Sequence, residues 1–320
     1  MTESLEDYAL GRSVGRKGTL KKVGIIGCGT MGQEIARVVA QNGIDVVFID
    51  VSEERVKEIF HEMEMTLDEV INHWGLTRSD KRAILSRIHG STDYNDIKDC
   101  DLIVETINFN KPGTSLEIRK DVFRRVEEVV SPEAVITSNT ATLMISELAS
   151  VLEHPERAVG LHFLTSATES NVVEVVRGVK TNDESFEFVT RFARMIGKKV
   201  VSSHESAGNI STRLIVSLIN EACELLMEGV ASAGCIDQTM KYGYGLQSGP
   251  FELADKIGLD KLIKWMDNLY MEFGERKFKP SPIIKRLYRA GMIGRKSGVG
   301  FYKYEDRKIV GETITCPEIK

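Results

Sequence analysis

The sequence predicts an α/β fold in which a doubly wound parallel sheet is followed by an all-α C-terminal domain. Apolar runs of strand length alternate with helical patterns through roughly the first 200 residues, and this alternation is typical of a parallel sheet with helices on both faces. From Ser206 onward only helical patterns follow, with apolar residues at steps of three and four. We therefore place one domain at residues 21–203 and a second at residues 204–320.

Eight apolar runs are predicted as the strands of the sheet. Each is a short run rich in β-branched and other apolar residues, as buried strands require. They lie near residues 22–27, 45–50, 87–91, 101–105, 134–138, 157–161, 172–177 and 199–202. Residues 1–20 are polar and mixed in charge, and we predict that they form an N-terminal extension.

A helical insertion is predicted between the second and third strands. Val56, Ile59 and Met63 belong to a series that steps by three and four, which places them on one face of a long helix. A shorter helical pattern follows, so the region 52–90 is predicted to be a helical hairpin. Such a hairpin either covers a substrate bound at the cleft or forms an outer packing layer, and the sequence leaves both interpretations open.

Composition narrows the class of protein. The 320 residues are 42% hydrophobic and 28% charged, with a formal net charge of −5, which fits a soluble globular protein and argues against nucleic-acid binding. The five cysteines are scattered without metal-ligand spacing, which predicts a reducing cytoplasm and no metal site. We find no signal peptide and no apolar run long enough to cross a bilayer, so no membrane partner is expected.

A glycine-rich turn joins the first strand to the first helix. Gly27, Gly29 and Gly32 form the pattern G-x-G-x-x-G, in which the glycines permit a tight turn, close approach of a pyrophosphate and close helix packing. The helix N-terminus that follows offers free N–H groups to an anion. Asp50 ends the next strand, where an acid binds the adenosine ribose and disfavours a 2′-phosphate. The sequence predicts a Rossmann-type domain that binds NAD; a glycine turn without a cofactor is the alternative.

One histidine of the six stands apart. His162 directly follows an apolar strand segment, so it lies at the carboxyl edge of the sheet, where open α/β folds bind ligands. Glu174 lies within the run Val172–Val176, and a carboxylate in such a run needs a partner if it is buried. A His162–Glu174 pair would act as an acid–base centre. A capped histidine and a solvent-facing edge-strand glutamate form the alternative.

Several separated motifs, in order, resemble the L-3-hydroxyacyl-CoA dehydrogenase family, in particular the 3-hydroxybutyryl-CoA dehydrogenases. The similarity covers nearly the whole chain after residue 20. It is carried by residues 24–36, the helical hairpin, 161–163, 172–175, 249–253 and 294–303. The resemblance implies NAD-linked interconversion of a 3-hydroxyacyl and a 3-oxoacyl thioester, and a C-terminal domain that dimerises. The expected partners are an acyl-CoA or an acyl carrier protein and a second copy of the chain.

The resemblance also implies roles for individual residues. The family's catalytic His–Glu pair maps onto His162 and Glu174, and its acid near the nicotinamide ribose maps onto Glu105. The residues expected to bind the cofactor are Gly27, Gly29, Thr30, Met31, Gly32, Asp50, Glu105 and Asn139.

Three polar residues of the family's active site differ in this chain. The family serine after the fifth strand is Ala141, and its two asparagines are Thr165 and Thr212. The proline of the family motif after the catalytic histidine is Ser166, and an insertion lies near residues 110–113.

Two interpretations follow from these differences. Either Thr140, Thr142, Thr165 or Thr212 supplies the missing donor in a pocket reshaped for a branched, cyclic or carrier-bound acyl group. Or the chain binds NAD with weak or no dehydrogenase activity. The related β-hydroxyacid dehydrogenases use a lysine on the first helix of the second domain, and residues 208–214 contain none.

Overall fold

An eight-stranded sheet forms the centre of the first part of the chain in the computed structural model, which describes residues 20–73, 75–108, 115–164, 166–306 and 308–314. The predicted N-terminal extension lies outside this range apart from Leu20, which is buried. The predicted insertion at 110–113 and Thr165 also lie outside the described residues.

All eight strands predicted from the sequence are present. They are β1 (Lys22–Ile26), β2 (Asp45–Ile49), β3 (Ile88–Ser91), β4 (Leu102–Glu105), β5 (Val135–Ser138), β6 (Ala158–Phe163), β7 (Val172–Arg177) and β8 (Lys199–His204). Their spatial order is β3-β2-β1-β4-β5-β6-β7-β8, so the first six follow the order of a dinucleotide-binding domain. The doubly wound, Rossmann-type fold class is confirmed.

Two strands, β7 and β8, run in the direction opposite to the other six. β7 pairs antiparallel with β6, and β8 returns to parallel pairing with β7. The connection spans only residues 164–171, and its described residues contain no helix, whereas a parallel crossover needs a longer link that usually includes one. The antiparallel register sets His162 directly opposite Glu174.

Among the described residues, the α-helices that flank the sheet are α1 (Thr30–Gln41), α2 (Glu53–Asn72), α3 (Arg78–Leu85), α4 (Ser115–Glu127), α5 (Ile145–Ala149) and α6 (Asp183–Met195). α2 and α3 form the predicted helical hairpin. The buried face of α2, with Val56, Ile59 and Met63, joins the core cluster that contains β1 and α1. These contacts support the interpretation of the hairpin as a packing layer.

The second part of the chain is mainly helical, as predicted. Its helices are α7 (Ser211–Met227), α8 (Ala233–Gln238), α9 (Pro250–Ile257), α10 (Leu259–Phe273) and α11 (Pro282–Arg289). They enclose a separate core whose fully buried members all lie between Ala207 and Tyr302.

The all-α description of the C-terminal domain is incomplete, because a two-stranded antiparallel hairpin follows α11. It consists of β9 (Tyr302–Glu305) and β10 (Lys308–Glu312). Tyr302 is buried and donates its hydroxyl to Asp237 over 2.9 Å, and Tyr304 donates to Asp255 over 2.9 Å. The hairpin therefore closes the helical core with hydrogen-bonded tyrosines.

Candidate active site

The glycine turn has the geometry that a dinucleotide requires. Gly27 has a φ of +81°, a left-handed conformation that favours glycine. A Cβ atom at Gly32 would lie 2.5 Å from the carbonyl oxygen of Gly27, so the helix could not approach the turn. Gly29 faces open space, and it is followed at once by Thr30, the first residue of α1. The residues present therefore fit a pyrophosphate at the N-terminus of α1.

Asp50 lies beside this turn at the end of β2. Its carboxylate accepts hydrogen bonds from the backbone N–H of Cys28 over 2.7 Å and of Val51 over 2.8 Å. A carboxylate oxygen accepts more than one hydrogen bond, so Asp50 keeps capacity for a ribose hydroxyl. The nearby Arg55 donates to Glu62 over 2.8 Å and to Glu58 over 3.0 Å. Because these acids occupy Arg55, the surroundings favour NAD over its 2′-phosphorylated form.

Glu105 is held by several polar contacts at the end of β4. It is fully buried, accepts from the backbone N–H of Ile107 over 2.6 Å and from the hydroxyl of Ser138 over 2.6 Å, and pairs with Arg119. These contacts make Glu105 an anchor for the residues that follow β4. Contact with a ribose stays a prediction.

Asn139 joins the ends of two neighbouring strands. Its side-chain oxygen accepts a hydrogen bond from the backbone N–H of Phe163 over 2.7 Å. Its own N–H donates to the carbonyl of Glu105 over 2.8 Å. Asn139 thus fixes the edge of the sheet next to His162, while its predicted contact with the cofactor stays a prediction.

His162 and Glu174 form a buried pair at the carboxyl end of β6. The distance from His162 Nδ1 to Glu174 Oε2 is 2.7 Å, and the two residues are 5% and 3% exposed. Burial opposes ionisation of Glu174, but hydrogen bonds from His162 and Ser211 outweigh burial and lower the pKa of its carboxyl. Glu174 is therefore an anion that accepts from Nδ1, which leaves Nε2 as the free ring nitrogen.

The other described histidines have no such surroundings. All five are exposed: His61, His73, His89, His154 and His204. The alternative in which Glu174 faces water does not fit the structure, because both members of the pair are buried.

Ser211 supports the pair from the helical domain, and sequence reasoning missed it. Its backbone N–H donates to Glu174 Oε1 over 2.8 Å, and its hydroxyl donates to Oε2 over 3.1 Å. Ser211 is the first residue of α7, so the positive end of that helix also faces the carboxylate. A serine at a helix start usually caps its own helix, so this pattern carried no signal for a contact to another domain.

The described threonines that were predicted to orient the substrate differ in their hydrogen-bond partners. Thr140 and Thr142 are both buried, and Ala141 between them is 9% exposed. Thr140 Oγ1 accepts from the backbone N–H of Leu143 over 3.1 Å, which stabilises the turn. Thr142 Oγ1 accepts from the side-chain amide of Asn268 over 2.8 Å, so its hydroxyl proton is available to another acceptor.

Thr212 follows Ser211 on α7 and is 2% exposed. The position of Thr165 lies outside the described residues. Arg119 and Asn268 are two further residues that the sequence did not single out. The signal for Arg119 was indirect: Glu105 ends an apolar strand, and a glutamate buried there requires a cationic or hydrogen-bonding partner.

Three further observations concern the described residues as a whole. In the described ranges no helix is long and apolar enough to cross a membrane. The same residues contain no cluster of three or more histidine, cysteine or acidic side chains able to hold a metal ion. Cys28, Cys100, Cys223 and Cys235 are free thiols.

Comparisons with known proteins agree with this geometry. The family model described as 3-hydroxyacyl-CoA dehydrogenase, NAD binding domain, matches residues 22–206. The model of the 3-hydroxyacyl-CoA dehydrogenase C-terminal domain matches residues 208–304. Together the two models span both parts of the fold.

Individual relatives carry the same family name. A probable 3-hydroxybutyryl-CoA dehydrogenase of Deinococcus radiodurans is 39% identical over 283 residues, which cover 88% of this chain and 100% of the relative. A 3-hydroxybutyryl-CoA dehydrogenase of Bradyrhizobium diazoefficiens is 37% identical, covering 91% and 98%. The crystal structure of (S)-3-hydroxybutyryl-CoA dehydrogenase PaaH1 from Ralstonia eutropha has a TM-score of 0.81 at 35% identity, covering 90% and 100%. The chain thus belongs to the 3-hydroxyacyl-CoA dehydrogenase family of NAD-dependent oxidoreductases.

Proposed function

We propose that this enzyme interconverts an L-3-hydroxyacyl-CoA and the 3-oxoacyl-CoA, with His162 as the proton carrier and Glu174 as its fixed partner. The observation that carries the proposal is the 2.7 Å contact between His162 Nδ1 and Glu174 Oε2 in a buried position at the sheet edge. An imidazole held in this way has its free Nε2 available to a substrate.

The roles of the residues follow from this arrangement. When bound, NAD supplies the hydride acceptor, and the residues that would hold it are Gly27, Gly29, Thr30, Met31, Gly32 and Asp50. His162 Nε2 takes the proton of the 3-hydroxyl group during oxidation and returns it during reduction of the ketone. The anionic Glu174 stabilises the imidazolium that forms in between.

The altered polar positions bear on the acyl group. Ala141 offers no hydroxyl where the family has serine, and the neighbouring Thr142, whose oxygen accepts from Asn268 over 2.8 Å, keeps a hydroxyl proton that it can donate. A smaller side chain at position 141 and threonine at position 212 leave room beside the thioester. We therefore propose a substrate with a bulkier acyl group than a straight short chain, carried by coenzyme A or by an acyl carrier protein.

A second candidate function is NAD binding with little turnover. The loss of the serine at Ala141 favours it, because one substrate-orienting donor is worth a few kcal/mol in the transition state. A protein of this kind would bind NADH but would form no NADH from NAD with any hydroxyacyl thioester.

We also propose a homodimer formed through the helical part of the chain. Several large apolar side chains are exposed there, and contact with a second copy of the chain would bury them. They include Ile210, Leu214, Met227, Val230, Tyr242, Tyr244 and Met271. Sedimentation of wild-type protein and of Leu214→Asp tests the interface: the wild type should sediment as a dimer and the variant as a monomer.

The free thiols support a reducing compartment, and we propose that the protein lies in the cytoplasm.

The test of the activity is NADH formation with NAD and a panel of 3-hydroxyacyl thioesters. The panel contains straight, branched and cyclic acyl groups on coenzyme A, and the same groups on an acyl carrier protein. Turnover of a bulky or carrier-bound member above that of 3-hydroxybutyryl-CoA supports the reshaped pocket. Efficient turnover of the short straight chain alone contradicts it, and NADH binding without any turnover supports the second candidate.

A further inference from the structure

The connection between β6 and β7 is held at one residue, Ala167, by two charged groups, the half-buried Glu34 and the buried Lys198. The N–H of Ala167 donates to Glu34 Oε2 over 2.6 Å, and the carbonyl of the same residue accepts from Lys198 Nζ over 2.6 Å. Ala167 is fully buried, and Lys198 is 8% exposed. Because this connection joins the strands that carry His162 and Glu174, its position bears on the catalytic pair.

Glu34 and Lys198 each make further contacts with the same segment. Glu34 Oε2 also accepts from the hydroxyl of Ser166 over 2.7 Å. Lys198 Nζ also donates to the carbonyl of Ser170 over 2.6 Å. Burial lowers the pKa of Lys198, and the charge of Glu34 opposes that effect, so the two groups stabilise each other across the segment. We call residues 166–170, held in this way, the clamped segment.

The position of Glu34 links this segment to the cofactor. Glu34 lies in α1 just after Gly32, and the helix N-terminus is the part that the geometry assigns to the pyrophosphate. Ser166 occupies the position where the family motif has proline. A proline restricts the backbone by itself, whereas serine needs partners, and here Glu34 provides one.

We propose that Glu34 is a positioning residue that ties the cofactor-binding helix to the clamped segment and thereby holds the His162–Glu174 pair against bound NAD. The proposal rests on the dehydrogenase function proposed above. Hydrogen bonds to an ionised carboxylate are short and strong, so the loss of those to Glu34 leaves the segment held by Lys198 alone. A small displacement of reacting groups lowers a rate by up to about a hundredfold.

Glu127 provides a matched control at the opposite edge of the sheet. It accepts from the backbone N–H of Glu153 over 2.8 Å and of His154 over 3.1 Å, and it pairs with Arg157 over 3.0 Å. Arg157 directly precedes β6, whereas Ser166 lies beyond the other end of that strand. Glu127 thus holds a loop by similar bonds without reaching the candidate site.

The experiment compares Glu34→Ala, Glu34→Gln and Glu127→Ala with the wild type. For each protein kcat is measured with the best thioester of the panel, the Kd of NADH by fluorescence, and the Tm. We expect Glu34→Ala to lower kcat by about tenfold or more while the Kd of NADH stays unchanged. Glu34→Gln keeps an acceptor oxygen and should recover most of kcat. Glu127→Ala should lower the Tm and leave kcat at the wild-type value.

The outcomes separate the inference from the function on which it rests. Wild-type kcat in Glu34→Ala overturns the inference alone. An equal loss of kcat in Glu34→Ala and Glu127→Ala also overturns it, since that result indicates a general loss of stability. If the wild type oxidises no thioester of the panel, the proposed function fails and the inference fails with it.

Discussion

Two buried carboxylates in this molecule have pKa values shifted in opposite directions. Hydrogen bonds from His162 and Ser211 outweigh the burial of Glu174 and lower its pKa. Burial of Asp255 in the helical core outweighs its hydrogen bonds and raises its pKa to about 6. Both side chains are almost completely inaccessible.

The difference lies in the partners. Asp255 accepts from the backbone N–H of Phe301 and of Tyr302, each over 2.9 Å, and from the hydroxyl of Tyr304. These donors are neutral, whereas the imidazole of His162 becomes a cation when it accepts a proton, and the Glu174 carboxylate stabilises that cation. Burial of an acid therefore does not by itself identify a catalytic site. What identifies the site of Glu174 is its histidine partner, which lies at the edge of the sheet where ligands bind.

The largest effect that sharpens the comparison is expected from Glu174→Gln. The glutamine cannot stabilise an imidazolium and can present its amide to Nδ1, so turnover should fall by roughly 10²–10⁴. The measurement is steady-state NADH formation, with the Kd of NADH as the check on folding. Asp183→Asn is the control, because that exposed acid pairs with Arg177 at the other end of β7, and its kcat should match the wild type. If Glu174→Gln turned over at the wild-type rate, Glu174 would have no catalytic role and would not differ from Asp255 in function.

The raised pKa of Asp255 predicts a dependence of stability on pH. An acid with a folded pKa of about 6 binds its proton more tightly in the folded state than in the unfolded chain, where the value is about 4. The stability it contributes is thus present below about pH 4 and is lost as the pH rises through about 6. Relative to Asp255→Asn, the wild type should lose on the order of 2–3 kcal/mol of unfolding free energy over that range. Urea unfolding at a series of pH values measures this; a constant difference between the two proteins would contradict the assignment.

The smallest effect is expected from Ala141→Ser, which restores the hydroxyl found in the family. With 3-hydroxybutyryl-CoA the variant should gain about tenfold in kcat/KM, since one donor oriented toward the substrate oxygen is restored. The same variant should lose activity toward bulky acyl groups, because the serine occupies part of the space. Comparison of kcat/KM for one short and one branched thioester decides the point. No change with either substrate would indicate that Thr142, bound to Asn268, has taken over the role of the missing serine.

The fold was predictable because its determinants are local. Each strand is a short apolar run, and the glycine turn fixes where the first strand meets the first helix. The direction of β7 was not predictable from its own residues, because pairing direction depends on the connection. The hairpin β9–β10 was missed because it consists of two short strands in a region of helical patterns.

The candidate site was predictable to the extent that polar residues interrupt apolar strands. His162 and Glu174 have that pattern, and the antiparallel register then sets them opposite each other. Ser211, Asn268 and Glu34 lie on helices, where a polar residue is ordinary, and only tertiary packing brings them to the site. Their contributions depend on contacts between distant segments and leave no local signal.

The most direct test of the central claim is turnover in His162→Gln with NADH binding measured on the same sample. The pair of His162 and Glu174 is the acid–base centre if the variant binds NADH like the wild type and forms NADH more slowly by roughly 10²–10⁴. Wild-type turnover in this variant would show that another group carries the proton, and the account given for the candidate site would be wrong.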